Sequence, residues 1–206
     1  METQEKTTTR LTILLPAGRL PHEVMAKVNE LAHKYNLEVY LSTAQNLRLM
    51  GIREEDLGRI RNELQPLGVD FKGPGKFPLP RVCIGNRDCN LGIADPHRLS
   101  LKILEHFKAH TKVKPKFKIA ISGCPASCSG AGLTDIGIMA TRSGFDIYVG
   151  GKMGPVPKTG RRIVRGADED KVIAVIEELV NFHDARTDKK NRMSKLIDDP
   201  DFPYKA

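Results

Sequence analysis

Apolar positions along this chain switch repeatedly between strand spacing and helical spacing. Residues 11–15 are a short apolar run that ends at Pro16, Ala17 and Gly18, which predicts a strand and a turn. Pro21 then stands where a first helical residue would. Val24, Val28, Leu31, Ala32 and Tyr35 follow at helical spacing, with Asn36 as C-cap. Leu37, Val39 and Leu41 alternate with polar or aromatic neighbours, and Leu47 and Leu49 do the same, so two strands are expected. Leu57, Ile60, Leu64 and Leu67 mark a second helix. The order β-α-β-β-α fits a small α+β domain with helices on one face of an antiparallel sheet.

A stretch rich in Gly, Pro and Lys, residues 68–80, reads as a linker. Beyond it a helix is expected over about residues 96–110, and a strand over residues 117–121. Strands are also expected over residues 135–140 and 146–149, with the turn Ser143-Gly144 between them, and a short one at Ile163-Val164. Asp168 is a good N-cap for a helix that carries Val172, Ile173, Ile176, Leu179 and Val180 on one face. The division that follows is a first domain over residues 1–72, a second over 73–186, and a charged C-terminal extension over 187–206.

Composition narrows the class. The chain has 206 residues, 40% hydrophobic, enough for one or two cores. No apolar run approaches the ~20 residues that span a bilayer, so membrane insertion is not expected. Residues 1–10 are polar, without the apolar stretch of a secretory signal, and a cytoplasmic location is expected. The net charge of +8 suits nucleic acid, a polyanionic cofactor or an anionic substrate equally. Aromatics are only 5% and no RNP or zinc-finger pattern occurs, so nucleic-acid binding is not expected. A Gly-rich dinucleotide fingerprint is also lacking.

All four cysteines fall in two pairs: Cys83 and Cys89 enclose five residues, Cys124 and Cys128 enclose three. In a reducing compartment such pairs bind metal more often than they form disulfides. Structural zinc sites favour gaps of two to four, so the gap of five is unusual for zinc. Thiolates also suit iron–sulfur clusters. Spacing alone leaves a cluster, zinc, and structural or redox thiols open.

The flanks of the second pair go further. The stretch Lys116-Phe117-Lys118-Ile119-Ala120-Ile121-Ser122-Gly123-Cys124-Pro125-Ala126-Ser127-Cys128 resembles the cluster-binding segment of the sirohaem-dependent sulfite and nitrite reductases, whose cysteines follow the same order and gaps. Residues 135–140 and 148–151 are similar to the segments that follow it there. Residues 15–20 and Ser42-Thr43-Ala44-Gln45-Asn46-Leu47 resemble the family's ferredoxin-like half-domain. The resemblance covers roughly residues 10–185 and implies a ferredoxin-like βαββα half-domain followed by a sirohaem- and [4Fe–4S]-binding α/β domain, of the small, single-unit type.

The resemblance implies an oxidoreductase that takes sulfite to sulfide with six electrons, or nitrite to ammonia. A non-catalytic electron-transfer or cofactor-carrying module of a larger complex is the alternative from another class. Cys83, Cys89, Cys124 and Cys128 would hold the [4Fe–4S] cluster, and Cys128 would also bridge to the sirohaem iron. Lys116 and Lys118 match the family's paired active-site lysines. Gln45, Asn46, Arg81, Arg87 and Lys152 are candidates for sirohaem contacts, because the cofactor's eight carboxylates need cations. The family usually has a basic residue where this chain has Ala44; Arg48 is the candidate to replace it beside the substrate. One cluster and one haem cannot store six electrons, so a ferredoxin or another redox donor protein is implied.

Overall fold

The computed structural model describes residues 8–111, 113, 117–187 and 191–204. The chain divides into two compact units, Met1–Gly73 and Pro74–Ala206.

In the first unit, β1 (Thr8–Leu14), α1 (His22–Tyr35), β2 (Glu38–Leu41), β3 (Leu47–Arg53), α2 (Glu54–Leu64) and β4 (Asp70–Phe71) follow in that order. The four strands form one sheet in the order β2-β3-β1-β4, and every pairing is antiparallel. Leu11, Ile13, Leu47, Leu49 and Ile52 point to one face and bury against Val24, Val28 and Leu31 of α1 and Ile60 and Leu64 of α2. Strand and helix periods converge on that single apolar layer. Asn36 ends α1 in the left-handed conformation (φ 51°), with its N–H bonded to the Ala32 carbonyl. The opposite face carries Thr12, Arg48 and Tyr40 in one row across the sheet, because Arg48 pairs with both Thr12 and Tyr40.

The second unit contains β5 (Arg81–Val82), α3 (Pro96–His106), β6 (Ile119–Ser122), β7 (Ile136–Thr141), β8 (Gly144–Val149), β9 (Arg161–Ala167) and α4 (Glu169–Arg186). Its sheet runs β5-β6-β7-β8-β9. The first three strands are parallel and the last two are added antiparallel. All four residues of β6 are buried, since the central parallel strand is covered on both faces. Leu99 and Ile103 of α3 and Val172, Val175, Ile176 and Leu179 of α4 join Ile119, Ile121, Ile136, Ile138 and Ile147 in one core. The Asp95 carboxylate caps α3 at the His97 and Arg98 amides (3.0 and 3.2 Å), and Asp168 caps α4 at Lys171 (2.7 Å).

Three features depart from the expectations. The helix expected to reach residue 110 stops at His106, because Phe107 turns inward and stacks on Phe77 with ring centroids 4.3 Å apart. The strand expected from residue 117 begins at Ile119, because the Lys118 N–H goes to the Asp135 carboxylate (3.1 Å) rather than to a neighbouring strand. Residues 191–204 are no separate extension: Met193, Leu196, Ile197 and Phe202 lie in the core of the second unit. Their apolar spacing fits neither period, which is why the charged tail hides them.

Candidate functional site

Cys83 directly follows β5, and Gly123 and Cys124 directly follow β6. Both pairs are thus launched from the carboxyl ends of adjacent parallel strands, where sites in open parallel sheets sit. The ladder runs on into the site: the Cys83 N–H donates to the Ile121 carbonyl (3.2 Å).

The two cysteine loops are locked together through glycines. The Gly123 carbonyl accepts from the amides of Ile93 (2.8 Å) and Ala94 (3.2 Å), and the Asn86 amide donates to the Ala94 carbonyl (3.0 Å). A Cβ on Gly85 would lie 2.1 Å from Pro96 Cδ, and one on Gly123 would lie 2.8 Å from Gly85 Cα. Only glycine permits this approach. Cys89 is fixed by its N–H to the Gly85 carbonyl (3.1 Å). The Gly123 amide donates to Cys83 Sγ (3.1 Å), a bond that favours thiolate and tunes any metal bound there.

The four thiols differ in exposure. Cys124 is buried, Cys83 and Cys89 are half-buried, and Cys128 is exposed. Cys128 stands between two left-handed residues, Ser127 (φ 56°) and Gly130 (φ 69°). Non-glycine residues in that conformation collect at ligand sites, where surrounding structure holds them. Ala17 (φ 55°) and Gln45 (φ 60°) do the same in the first unit, on two loops joined by the Leu15 amide and the Asn46 Oδ1 (3.2 Å).

Several basic residues expected at the site are placed differently from one another. Arg81 is half-buried; its Nε donates to the Ser129 carbonyl and its Nη2 to Thr134 Oγ1 (3.3 Å). Burial lowers its pKa, but an arginine so placed stays charged. Arg87 is exposed on the first cysteine loop. Lys152 pairs backbone to backbone with Lys158 (2.9 Å both ways), which closes a basic hairpin. That hairpin packs on the loop after Cys128: the Gly160 amide donates to the Gly132 carbonyl (2.8 Å), and Met153 Cε crowds Gly130. Lys118 is exposed at the entry to β6. Lys116 lies outside the described residues. In the first unit, Asn46 carries the loop contact above and Gln45 packs on Gly18. The half-buried Arg48 has its guanidinium 5.9 Å from the centre of the Tyr40 ring, and its Nε has no hydrogen-bond partner among the described residues.

Asp135 was legible in the sequence only as the edge of a strand. It is fully buried and accepts from the Lys118 amide (3.1 Å) and the Met193 amide (3.0 Å), with Arg192 Nε at 2.9 Å. It therefore ties the lysine segment to the tail. Burial raises its pKa to about 6, against the opposing pull of Arg192. A carboxyl raised in the folded state gives stability that is fully present below the unfolded value, near 3.8, and lost as pH rises through about 6. The shift corresponds to at most about 3 kcal/mol. Denaturant titrations of the wild type and Asp135→Asn across pH 4–7 are expected to show that stability difference falling as pH rises, and a constant difference would remove Asp135 as its source.

A [4Fe–4S] cluster needs four thiolates spread around a volume, whereas one zinc needs them drawn to a point. Four thiols on two interlocked loops, with an amide aimed at one sulfur, fit a cluster. An exposed fourth thiol fits a second group on the outer side. Exposed apolar Ile84, Leu91 and Ile93 on the loop of Cys83 and Cys89, and the basic hairpin packed on the loop after Cys128, suit a flat macrocycle with carboxylate edges.

The chain matches two family models: the ferredoxin-like half domain of nitrite/sulfite reductases over residues 2–67, and the nitrite and sulphite reductase 4Fe-4S domain over residues 80–202. It is 28% identical over 186 residues to the nitrite reductase [NAD(P)H] of Emericella nidulans, covering 89% of this chain and 17% of that protein. It is 26% identical over 196 residues to an assimilatory-type sulfite reductase of Nitratidesulfovibrio vulgaris, covering 95% of this chain and 89% of that one. The fold is like that of the NirA protein of Mycobacterium tuberculosis, with a TM-score of 0.73 at 18% identity over 91% of this chain and 37% of that one. Among the described residues no helix is long and apolar enough to cross a membrane.

Proposed function

We propose, since the chain belongs to the family of nitrite and sulphite reductase 4Fe-4S domains, that it is a sulfite reductase that converts sulfite to sulfide with six electrons from an external redox protein, in the cytoplasm. The observation that carries this reading is the likeness to the assimilatory-type sulfite reductase of Nitratidesulfovibrio vulgaris, 26% identical over 196 residues. The Emericella nitrite reductase is a far longer protein, of which this chain spans 17%.

Cys83, Cys89, Cys124 and Cys128 would hold the [4Fe–4S] cluster, and Cys128, the exposed thiol, would also serve the sirohaem. When bound, the two cofactors supply electrons and the iron at which the substrate is held. The protein's task is charge and protons. Sulfite is an anion, and its oxygens leave as water only if they are protonated. Lys118, exposed at the start of β6, carries a proton and a positive charge for those oxygens, and Lys116 is assigned the same task. Arg87 and Lys152 are assigned to neutralise cofactor carboxylates, and Gln45 and Asn46 to hydrogen-bond them. Arg48 is assigned to the substrate anion, since its Nε has no hydrogen-bond partner among the described residues.

Nitrite is the second reading, supported by 28% identity to a nitrite reductase over 186 residues. A side-by-side assay with a reduced viologen donor decides between them. Sulfite is expected to show the higher kcat/KM, with sulfide as product; a higher value for nitrite would reverse the assignment.

A further inference from the structure

We infer that Arg81 is a positioning residue for Cys128, rather than a contact for cofactor carboxylates. The inference rests on Cys128 being the thiol shared between the two cofactors.

Arg81 lies in β5, two residues before Cys83, and its backbone pairs with Ala120 of β6. Its side chain reaches across to the loop of the other cysteine pair. There the Nε donates to the carbonyl of Ser129, the residue after Cys128. The Nη2 donates to Thr134 Oγ1 (3.3 Å), and that hydroxyl donates in turn to the Gly130 carbonyl (2.9 Å). One guanidinium thus holds both residues that follow Cys128. From the other side, Ser129 Oγ is bonded to Ser122 Oγ (2.7 Å), at the end of β6, with both serines buried. The exposed thiol is therefore carried on a buried, doubly anchored neighbour.

The backbone explains why the anchor is needed. Ser127, with φ at 56°, holds a conformation that a side chain disfavours, so bonds around it must hold the turn, among them its own Oγ, which accepts from the Gly132 amide (3.3 Å). The Gly130 amide closes the turn on the Ser127 carbonyl (2.7 Å), and Gly130 itself is approached so closely that a Cβ there would lie 2.8 Å from Arg81 Nη2. A planar fork with fixed donors fits two acceptors at once, which the point charge of a lysine does not. With two donors committed inside the protein, Arg81 acts on the shared thiol through geometry.

Arg81→Lys keeps the charge and removes the fork; Arg81→Gln removes both. In the full chain loaded with both cofactors, each variant is expected to retain four cluster irons. Each is expected to lose the electronic coupling of cluster and haem seen by anaerobic EPR, with turnover down about 100-fold, as a misplaced reacting group costs, and KM little changed. Arg81→Lys with a wild-type coupled spectrum would overturn the inference. So would a pattern in which both variants lose sirohaem while Cys128→Ser keeps it, since that marks a carboxylate contact. Should the Arg81 variants not fold, Thr134→Val and Ser122→Ala loosen the same loop from either side. Unchanged coupling in both would also overturn the inference. A wild type that shows no coupling removes the Cys128 assignment instead. The clamp is then read from the alkylation rate of Cys128 in the cofactor-free chain, which Arg81→Lys should raise several-fold and an unchanged rate would refute.

Discussion

Cys128→Ser is expected to keep most of its cluster iron and to lose the spectroscopic coupling between cluster and sirohaem, with sulfite turnover reduced about 100-fold or more. The expectation follows from the unequal exposure of the thiols. Cys124 is buried and Cys83 receives the Gly123 amide, so these sulfurs face inward. Cys128 alone among the four is exposed, on a loop whose neighbours are pinned. A serine oxygen is a harder and poorer ligand for iron than a thiolate. Replacing a group that merely supports a metal ligand costs 10–100-fold, so replacing the shared ligand itself should lie at or above the upper end. EPR and anaerobic absorption of the variant read the coupling directly. A wild-type coupled spectrum would reassign the bridge to another thiol.

Lys118→Ala is expected to retain both cofactors and to lose turnover by about 100-fold, the lower end of what a positioned proton donor contributes. The residue lies one position before β6, and its main chain is fixed by the Asp135 carboxylate at 3.1 Å. Lys118 is thereby tied to the entry of β7, and it runs directly into β6, the strand that launches Cys124. Lys118→Arg keeps the charge while raising the pKa, so it should restore substrate affinity more than kcat. Steady-state kinetics with cofactor content measured in parallel separates these effects. Unchanged kcat/KM in Lys118→Ala would make it an ordinary solvated surface lysine.

The first unit was largely legible in the sequence. Long periodic segments such as α1, with Val24, Val28 and Leu31 on its buried face, declare themselves, and Asn36 marks the end of the helix. The two-residue strands β4 and β5 were not legible, because Asp70–Phe71 and Arg81–Val82 are too short to show a period. The central strand β6 is buried on both faces and carries no alternation to mark where it starts. In the tail, Met193, Leu196, Ile197 and Phe202 are buried amid charged residues, and composition conceals their packing.

At the site, the cysteines were legible because spacing and flanking glycines act locally. The role of Arg81 was not, since its partners lie 48 and 53 residues away in sequence. Asp135 was missed for the same reason: its three partners come from two segments, at Lys118 and at Arg192 and Met193. Arg48 stands between these cases. The alternation around Leu47 and Leu49 turns it away from the apolar face, and the structure adds the Tyr40 ring beside it and an Nε with no hydrogen-bond partner among the described residues.

The central claim is that the four thiols hold a four-iron cluster joined to a haem iron. The iron content of the full chain, purified without oxygen from cells that make sirohaem, tests it most directly. Four cluster irons plus one haem iron should give about five irons per chain, with about four labile sulfides. A colourless protein with one zinc per chain and no labile sulfide would contradict it.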